Sequence, residues 1–225
     1  MTDGELPCVS EAGERLQARL QDARLYVVTD ARRDRGDLEE FLRAITGASA
    51  DIVQLRDKDA DDAALREAAS VFRRVCDDTG ALFVLNDRPD LAAEVGADGV
   101  HVGQDDATPD ETRAVVGPDL LIGLSTHSAA QVDAAADQDV DYIAVGPVHA
   151  TPTKPGRLAA GLEPVRHAAV HAAHPWFAIG GISPDTVDEV LDAGARRIVV
   201  VRAITQAADP AEATWTLRRA LGRVH

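Results

Sequence analysis

The second apolar run of the chain ends in Gln54, Arg56 and Lys58, the third in Asn86 and Asp87, and the fourth, carrying His101, opens onto Gln104, Asp105 and Asp106. The fifth ends in Ser125, the sixth in Gly146-Pro147 and then HATPTKPG, the seventh in Gly180-Gly181 and the eighth in Arg202. Three kinds of group recur at these ends. Arg56, Lys58 and Lys154 are cations; Asp87, Asp105 and Asp106 are carboxylates on adjacent loops; Ser125, Thr151, Thr153 and the glycines offer hydroxyls and bare backbone N–H groups. Together they describe a site for a phosphorylated ligand with a hard cation, since Mg²⁺ takes one or two carboxylates and completes its shell with phosphate oxygens and water. Each part also has a plainer reading: a lone Asp caps a helix, Arg56 and Lys58 pair with Asp57 and Asp59 on a solvated edge, and two glycines make a turn. Of the 23 basic residues only Lys58 and Lys154 are Lys, so a compact ammonium stands out at both places.

The elements that must hold these groups follow a regular rhythm. Eight short apolar, β-branched runs span residues 25–30, 51–57, 82–87, 99–103, 120–125, 142–148, 176–182 and 197–204. Runs without polar alternation indicate strands buried on both faces, as in a parallel sheet. Helical patterns lie between them, opened by Asp37, Asp61-Asp62, Pro89-Asp90, Thr108-Pro109, Ser128, Ser183-Pro184 and Asp209-Pro210, and stopped near Gly47, Gly80, Gly96, Gly117, Gly194 and Gly222. The segment 161–174 begins less clearly, and an extra helix over 10–23 precedes the first strand. Eight strand–helix units predict an α/β chain folded as a (β/α)₈ TIM barrel, in which working residues gather where strands end. A doubly wound open sheet is the alternative, but the first turn, TDARRDRGD, is not glycine-rich. The Gly-Gly-Ile turn before Ser183-Pro184 reads as a helix start where barrels often hold phosphate. Residues 1–225 read as one domain, with 1–9 flexible.

Composition excludes several classes. With 38 acidic against 23 basic residues the formal charge is −15, which disfavours broad binding to nucleic acid or anionic membrane. Cys8 and Cys76 make no disulfide framework and no CxxC motif. The start of the chain lacks a signal-peptide pattern and no run of 18 apolar residues occurs, so a cytoplasmic protein is expected. His167, His171 and His174 have the spacing of a metal face yet precede the seventh strand, at the end opposite the carboxylates, and read as solvated helix surface. His101 reads as a packed strand histidine, with proton transfer the less favoured role. There is no nucleophile elbow, P-loop or GxGxxG.

Taken together, QLRDK (54–58), LNDRPDLA (85–92), GVHVGQDD (99–106), IGLSTHS (122–128), VGPVHATPTK (145–154), AIGGI (178–182) and VVRAI (200–204) resemble the thiamine-phosphate synthase family. The resemblance runs in order over nearly the whole chain from Tyr26. It implies a phosphate-binding (β/α)₈ barrel that joins 4-amino-2-methyl-5-(diphosphooxymethyl)pyrimidine to thiazole phosphate, releasing thiamine phosphate and pyrophosphate. It also implies Gln54, Leu55, Arg56, Asp57, Lys58, Asn86, Ser125 and Lys154 as the pyrimidine diphosphate site, with Lys154, Ser125 and Arg56 catalytic. Thr151, Pro152, Thr153, Gly181, Val201 and Arg202 would meet the thiazole phosphate, and Asp87 and Asp106 would hold Mg²⁺. The implied partners are these small molecules; a homo-oligomer stays open. At Arg202 the chain departs from the family, which usually has a small Ser there. A thiazole tautomerase using His101 or His127, and a noncatalytic phosphate sensor, remain as alternatives.

Overall fold

The eight apolar runs form the strands β1 (Leu25–Thr29), β2 (Ile52–Leu55), β3 (Leu82–Asn86), β4 (Gly99–Val102), β5 (Leu121–Thr126), β6 (Tyr142–Val145), β7 (Trp176–Ile179) and β8 (Ile198–Val200). In the computed structural model, which describes residues 9–150 and 159–222, each strand pairs in parallel with its sequence neighbours, and β8 closes onto β1. The barrel expected from the sequence is the fold observed. Around it lie α1 (Glu11–Asp22), α2 (Leu38–Gly47), α3 (Asp62–Thr79), α4 (Pro89–Ala92), α5 (Pro109–Val116), α6 (Ala129–Ala134), α7 (Glu163–His171), α8 (Val187–Asp192), α9 (Arg202–Thr205) and α10 (Pro210–Leu221). The expectation for residues 1–9 falls outside the described residues except at Val9.

Alternation along each strand divides the apolar side chains between two cores. Leu25, Val27, Val53, Leu55, Phe83 and Val100 face outward and pack with the helices. Tyr26, Val28, Ile52, Leu82, Val84, Leu121, Tyr142, Phe177 and Val199 face inward and join Leu20 and Ala23 of the α1 segment. The extra helix therefore closes the bottom of the barrel. Truncating a fully buried ring such as Phe177 to Ala would cost about 3–5 kcal/mol.

The bottom rim carries a repeated clasp. Asp51, Asp98 and Asp141 each stand immediately before an even-numbered strand and accept an N–H from the start of the preceding odd-numbered one. Asp51 takes the N–H groups of Arg24 and Leu25 at 2.7 and 2.9 Å, Asp98 that of Phe83 at 2.8 Å, and Asp141 that of Ile122 at 2.8 Å. An arginine neutralises each one: Arg218 at 2.6 Å, Arg73 at 3.0 Å and Arg113 at 2.9 Å.

Most helix starts are the expected ones. Ser10, Asp61, Thr108, Ser128 and Asp209 accept first-turn N–H groups, Thr108 in a capping box with Glu111. α7 begins after Leu162 without a side-chain cap, which is why its start is faint in the sequence. Three details differ. Asp37 caps nothing, because its carboxylate forms a two-pronged pair with Arg32 at 2.7 Å on each arm. The helix after β7 is regular from Val187 rather than Pro184: residues 184–186 form a turn, in which Ser183 Oγ accepts the Asp185 N–H at 3.3 Å and Ser183 O the Val187 N–H at 2.9 Å. The run 197–204 is strand only to Val200, because Val201 turns the backbone to φ −120°, ψ −94° and α9 follows.

Candidate active site

β2 and β3 deliver the first cluster. Gln54 points inward from β2, and the chain then leaves the strand through Arg56, whose N–H still bonds Thr29 O at 2.8 Å. Asp87 follows directly on β3 with φ +59°, a left-handed conformation that Asp tolerates and β-branched residues do not. Its own N–H bonds His101 O at 2.9 Å, which fixes the carboxylate over the β3–β4 seam. The Asp106 carboxylate reaches the same place from the next loop, held by the Gly103 N–H at 2.8 Å. Burial, and then the charge of Asp106 within hydrogen-bonding reach, push the Asp87 carboxyl above the usual carboxylate range; Lys58 and Asn86 oppose that push. Lys58 Nζ stands 3.5 Å from Asp87 Oδ2. Two facing carboxylates at such a place are a donor set suited to a divalent cation that shares its shell with phosphate oxygens. No group of three or more His, Cys, Asp or Glu suited to a metal occurs among the described residues, so the remaining ligands would have to come from substrate and water.

β5, β7 and β8 deliver the second cluster. Ser125, Gly180, Gly181, Val201 and Arg202 line a cavity of about 320 Å³. Gly180 is bare of necessity: at φ +110° a Cβ there would sit 2.5 Å from Pro147 Cα. Arg202 also borders a second cleft of about 360 Å³, shared with Arg56, Arg33 and Arg35. Among the described residues neither Arg56 nor Arg202 has an ion-pair partner. Asp30, Asp34, Asp57 and Asp59 line the same cleft, so in a chain of charge −15 Arg56 and Arg202 are the guanidinium groups left to meet an anionic ligand.

The sequence-based set is thus brought together in part. Gln54, Arg56, Lys58, Asn86, Asp87, Asp106, Ser125, Gly181, Val201 and Arg202 all lie at the C-terminal end of the barrel. Two others have side chains engaged within the fold. Leu55 is fully buried in the outer core, and its side chain packs toward the helices. Asp57 takes the N–H groups of Ala31 and Asp59 at 3.4 and 3.2 Å and stands 3.5 Å from Arg33, so its carboxylate organises the β1–β2 rim. Thr151, Pro152, Thr153 and Lys154 lie outside the described residues. His167 is bound to Asp133 at 2.6 Å and stacked on His171, and His174 bonds Ala135 O at 3.1 Å, all on the α6–α7 side.

What the sequence reading missed is a row of buried polar groups across the barrel interior. Gln54 Nε2 donates to Tyr26 Oη at 2.5 Å, Tyr26 Oη meets Tyr142 Oη at 3.1 Å, and His101 joins Tyr142 Oη to Ser125 Oγ through Nδ1 at 3.2 Å and Nε2 at 2.9 Å. Gln104 steadies the far end by donating to Ser125 O at 2.7 Å. The signal available in the sequence was inward-facing polar residues on five strands, β1, β2, β4, β5 and β6, which only the register can align.

A family model described as thiamine monophosphate synthase matches residues 25–204, which include every strand of the barrel. The chain belongs to that family. A thiamine-phosphate synthase of Saccharopolyspora erythraea is 53% identical over 215 residues, covering 92% of this chain and 96% of that protein. One of Thermobifida fusca is 56% identical over 211 residues, with the same coverage of 92% and 96%. Among solved structures, a thiamine phosphate pyrophosphorylase from Pyrococcus furiosus superposes with a TM-score of 0.82 at 32% identity, covering 93% of this chain and 98% of that one. The thiamine-phosphate synthase fold and a transferase activity of that type therefore belong to this chain. No helix among the described residues is long and apolar enough to cross a membrane.

Proposed function

We propose that the chain joins 4-amino-2-methyl-5-(diphosphooxymethyl)pyrimidine to thiazole phosphate. The thiazole nitrogen forms a C–N bond to the pyrimidine methylene, and the C–O bond to the diphosphate breaks with its electron pair leaving on pyrophosphate. The observation that carries this reading is the Asp87–Asp106 pair facing Lys58, beside the uncommitted Arg56, at the C-terminal end of the barrel. Such a group of charges serves a leaving group on which negative charge grows. Arg56, Lys58 and Lys154 bind the diphosphate and stabilise it as it departs; Asn86 and Ser125 hold its oxygens; Gln54 orients the pyrimidine. Asp87 and Asp106 would hold Mg²⁺, which when bound supplies positive charge to the diphosphate oxygens. Thr151, Thr153, Gly181, Val201 and Arg202 take the thiazole phosphate.

An electron-rich aminopyrimidine tolerates positive charge on its methylene, so the bond to diphosphate can break early and no protein nucleophile is needed. The placement of His101 agrees with that: both ring nitrogens are engaged within the wall, by Tyr142 and Ser125. Incubating both substrates with Mg²⁺ or with EDTA and following pyrophosphate release tests the reading. Release that needs both substrates and stops in EDTA is expected; release from the pyrimidine diphosphate alone at the same rate, or none with both, would overturn it.

A further inference from the structure

The buried row from Gln54 to Ser125 has a property that its members lack singly. Tyr26, Tyr142, Gln54, His101 and Ser125 are all at most 7% exposed, so each hydrogen bond among them must be made within the protein. A neutral imidazole has one donor and one acceptor nitrogen, and a hydroxyl donates once. Between the two ends the row therefore has two proton orders, each the reverse of the other. In one, Ser125 donates inward to His101 and Tyr26 donates to the Gln54 carbonyl oxygen. In the other, Gln54 Nε2 donates to Tyr26, Tyr26 to Tyr142, Tyr142 to His101 Nδ1, and His101 Nε2–H to Ser125, whose own proton is then free to point outward. The second order matches the placement of Gln54 Nε2 on Tyr26. The barrel also makes room for the junction: Gly123 of β5 is bare where a Cβ would come 2.5 Å from His101 Nδ1 and collide with the Tyr142 ring.

We propose that this relay is a specificity element in which Tyr26, Tyr142 and His101 act as positioning residues, so that a phosphate oxygen on Ser125 dictates which face of the Gln54 amide meets the pyrimidine. The proposal rests on the substrate reading above, in which Ser125 meets the diphosphate and Gln54 the ring. A phosphate oxygen only accepts hydrogen bonds. Ser125 must then donate outward, every donor behind it falls into the second order, and Gln54 turns its amide nitrogen to Tyr26 and keeps its carbonyl oxygen for the ligand. That oxygen takes a donor. A 4-amino substituent is satisfied there, whereas a 4-oxo substituent meets it lone pair to lone pair, and leaving buried polar groups mismatched is a strong basis for discrimination.

The test is the ratio of kcat/KM for the 4-amino pyrimidine diphosphate to that for its 4-oxo analogue, with thiazole phosphate saturating, in the wild type, Tyr142→Phe and Tyr26→Phe. Removing either phenol cuts the relay and lets Gln54 reverse independently of Ser125. The preference for the amino compound should fall by at least about tenfold, chiefly through gain on the 4-oxo compound, while the KM for thiazole phosphate stays put. A purely structural role for the phenols would lower both rates together and leave the ratio unchanged. A second measurement needs no variant: in wild-type protein, the affinity ratio of the amino to the oxo compound should be larger for the diphosphates than for the corresponding alcohols, which place no phosphate on Ser125. A ratio unchanged within twofold in a folded Phe variant, or equal ratios for diphosphates and alcohols, overturns the relay alone. Wild-type protein that releases no pyrophosphate with either compound overturns the substrate reading itself.

Discussion

Replacing Asp87 with Asn should stabilise the protein while disabling the proposed Mg²⁺ site. Asp87 gains from Lys58 at 3.5 Å a Coulomb attraction of about 5 kcal/mol if the effective dielectric is about 20, and about 1 kcal/mol if it is about 80. Lys58 is 61% exposed, so the lower figure governs. Against it stand the burial of Asp87 and the charge of Asp106, and the upward direction of the Asp87 shift says that these two prevail. An ionised Asp87 is therefore a net cost to folding at neutral pH, because the folded state holds the proton more tightly than the unfolded one. Asn keeps the left-handed backbone at φ +59° without new strain. In EDTA the Asn variant should melt above wild type, contrary to the usual effect of substitution. With Mg²⁺ the order reverses, because a ligand at ten times its dissociation constant adds about 1.4 kcal/mol to the form that binds it. Calorimetric melts at pH 7.5, with EDTA and with 10 mM Mg²⁺ (about the upper end used in such assays), read both effects. A variant that melts below wild type in EDTA and gains as much from Mg²⁺ would refute the reasoning on both counts.

Lys58→Arg should reduce kcat/KM for the pyrimidine diphosphate by roughly tenfold or more, because a planar fork cannot replace a point charge 3.5 Å from Asp87 in a crowded phosphate shell; steady-state kinetics at saturating thiazole phosphate decide it. Arg202→Ser should leave folding and diphosphate binding intact but raise the KM for thiazole phosphate several-fold, an effect that added salt shrinks; an unchanged KM at low salt would separate Arg202 from the substrate. Arg32→Met removes a guanidinium that bridges Asp37 and Thr205 O and lies 4.0 Å over the Phe41 ring, and should cost about 2 kcal/mol, less than a fully buried pair because Asp37 is 36% exposed. The hydrogen bond from Arg32 holds the Asp37 carboxyl below its usual range, so the pair's contribution is complete above the unfolded value near about pH 4 and is lost as pH falls through the folded one; melting curves of wild type and variant should converge on acidification. Self-repulsion at charge −15 predicts a melting temperature that rises from dilute buffer toward molar KCl.

The barrel was legible because a strand covered on both faces writes an unbroken apolar run, and caps such as Thr108 and Ser128 mark their helices locally. The errors arose where two causes write the same letters. VRAI continues an apolar run although Val201 has already turned the chain, and Ser183-Pro184 marks a first turn three residues before the regular helix begins at Val187. Charged rim residues could be gathered because strand ends share one side of such a barrel, whatever the pairing details. The hold of Asp57 on Ala31 and Arg33 could not be foreseen, since only the fold brings those residues together. The relay was out of reach: Tyr26, His101 and Tyr142 lie far apart in the chain, and the reading of His101 as a packed histidine found its burial without its partners.

The clasps at the bottom rim bear on how the barrel is closed. Asp51, Asp98 and Asp141 staple β1 to β2, β3 to β4 and β5 to β6, but before β8 stands Arg197, whose guanidinium bonds Ala23 O at 3.0 Å and Gln21 O at 2.8 Å. The fourth staple thus ties the last strand to the end of the first helix, and the ring is fastened by joining the two extremes of the sequence. That contact spans 174 residues or more, the kind of long-range pairing that forms late. Three two-strand panels can find their own register from neighbouring residues; the final seam waits for α1 to arrive. A chain stripped of that helix would keep all of its rim chemistry and lose both the stopper and the knot.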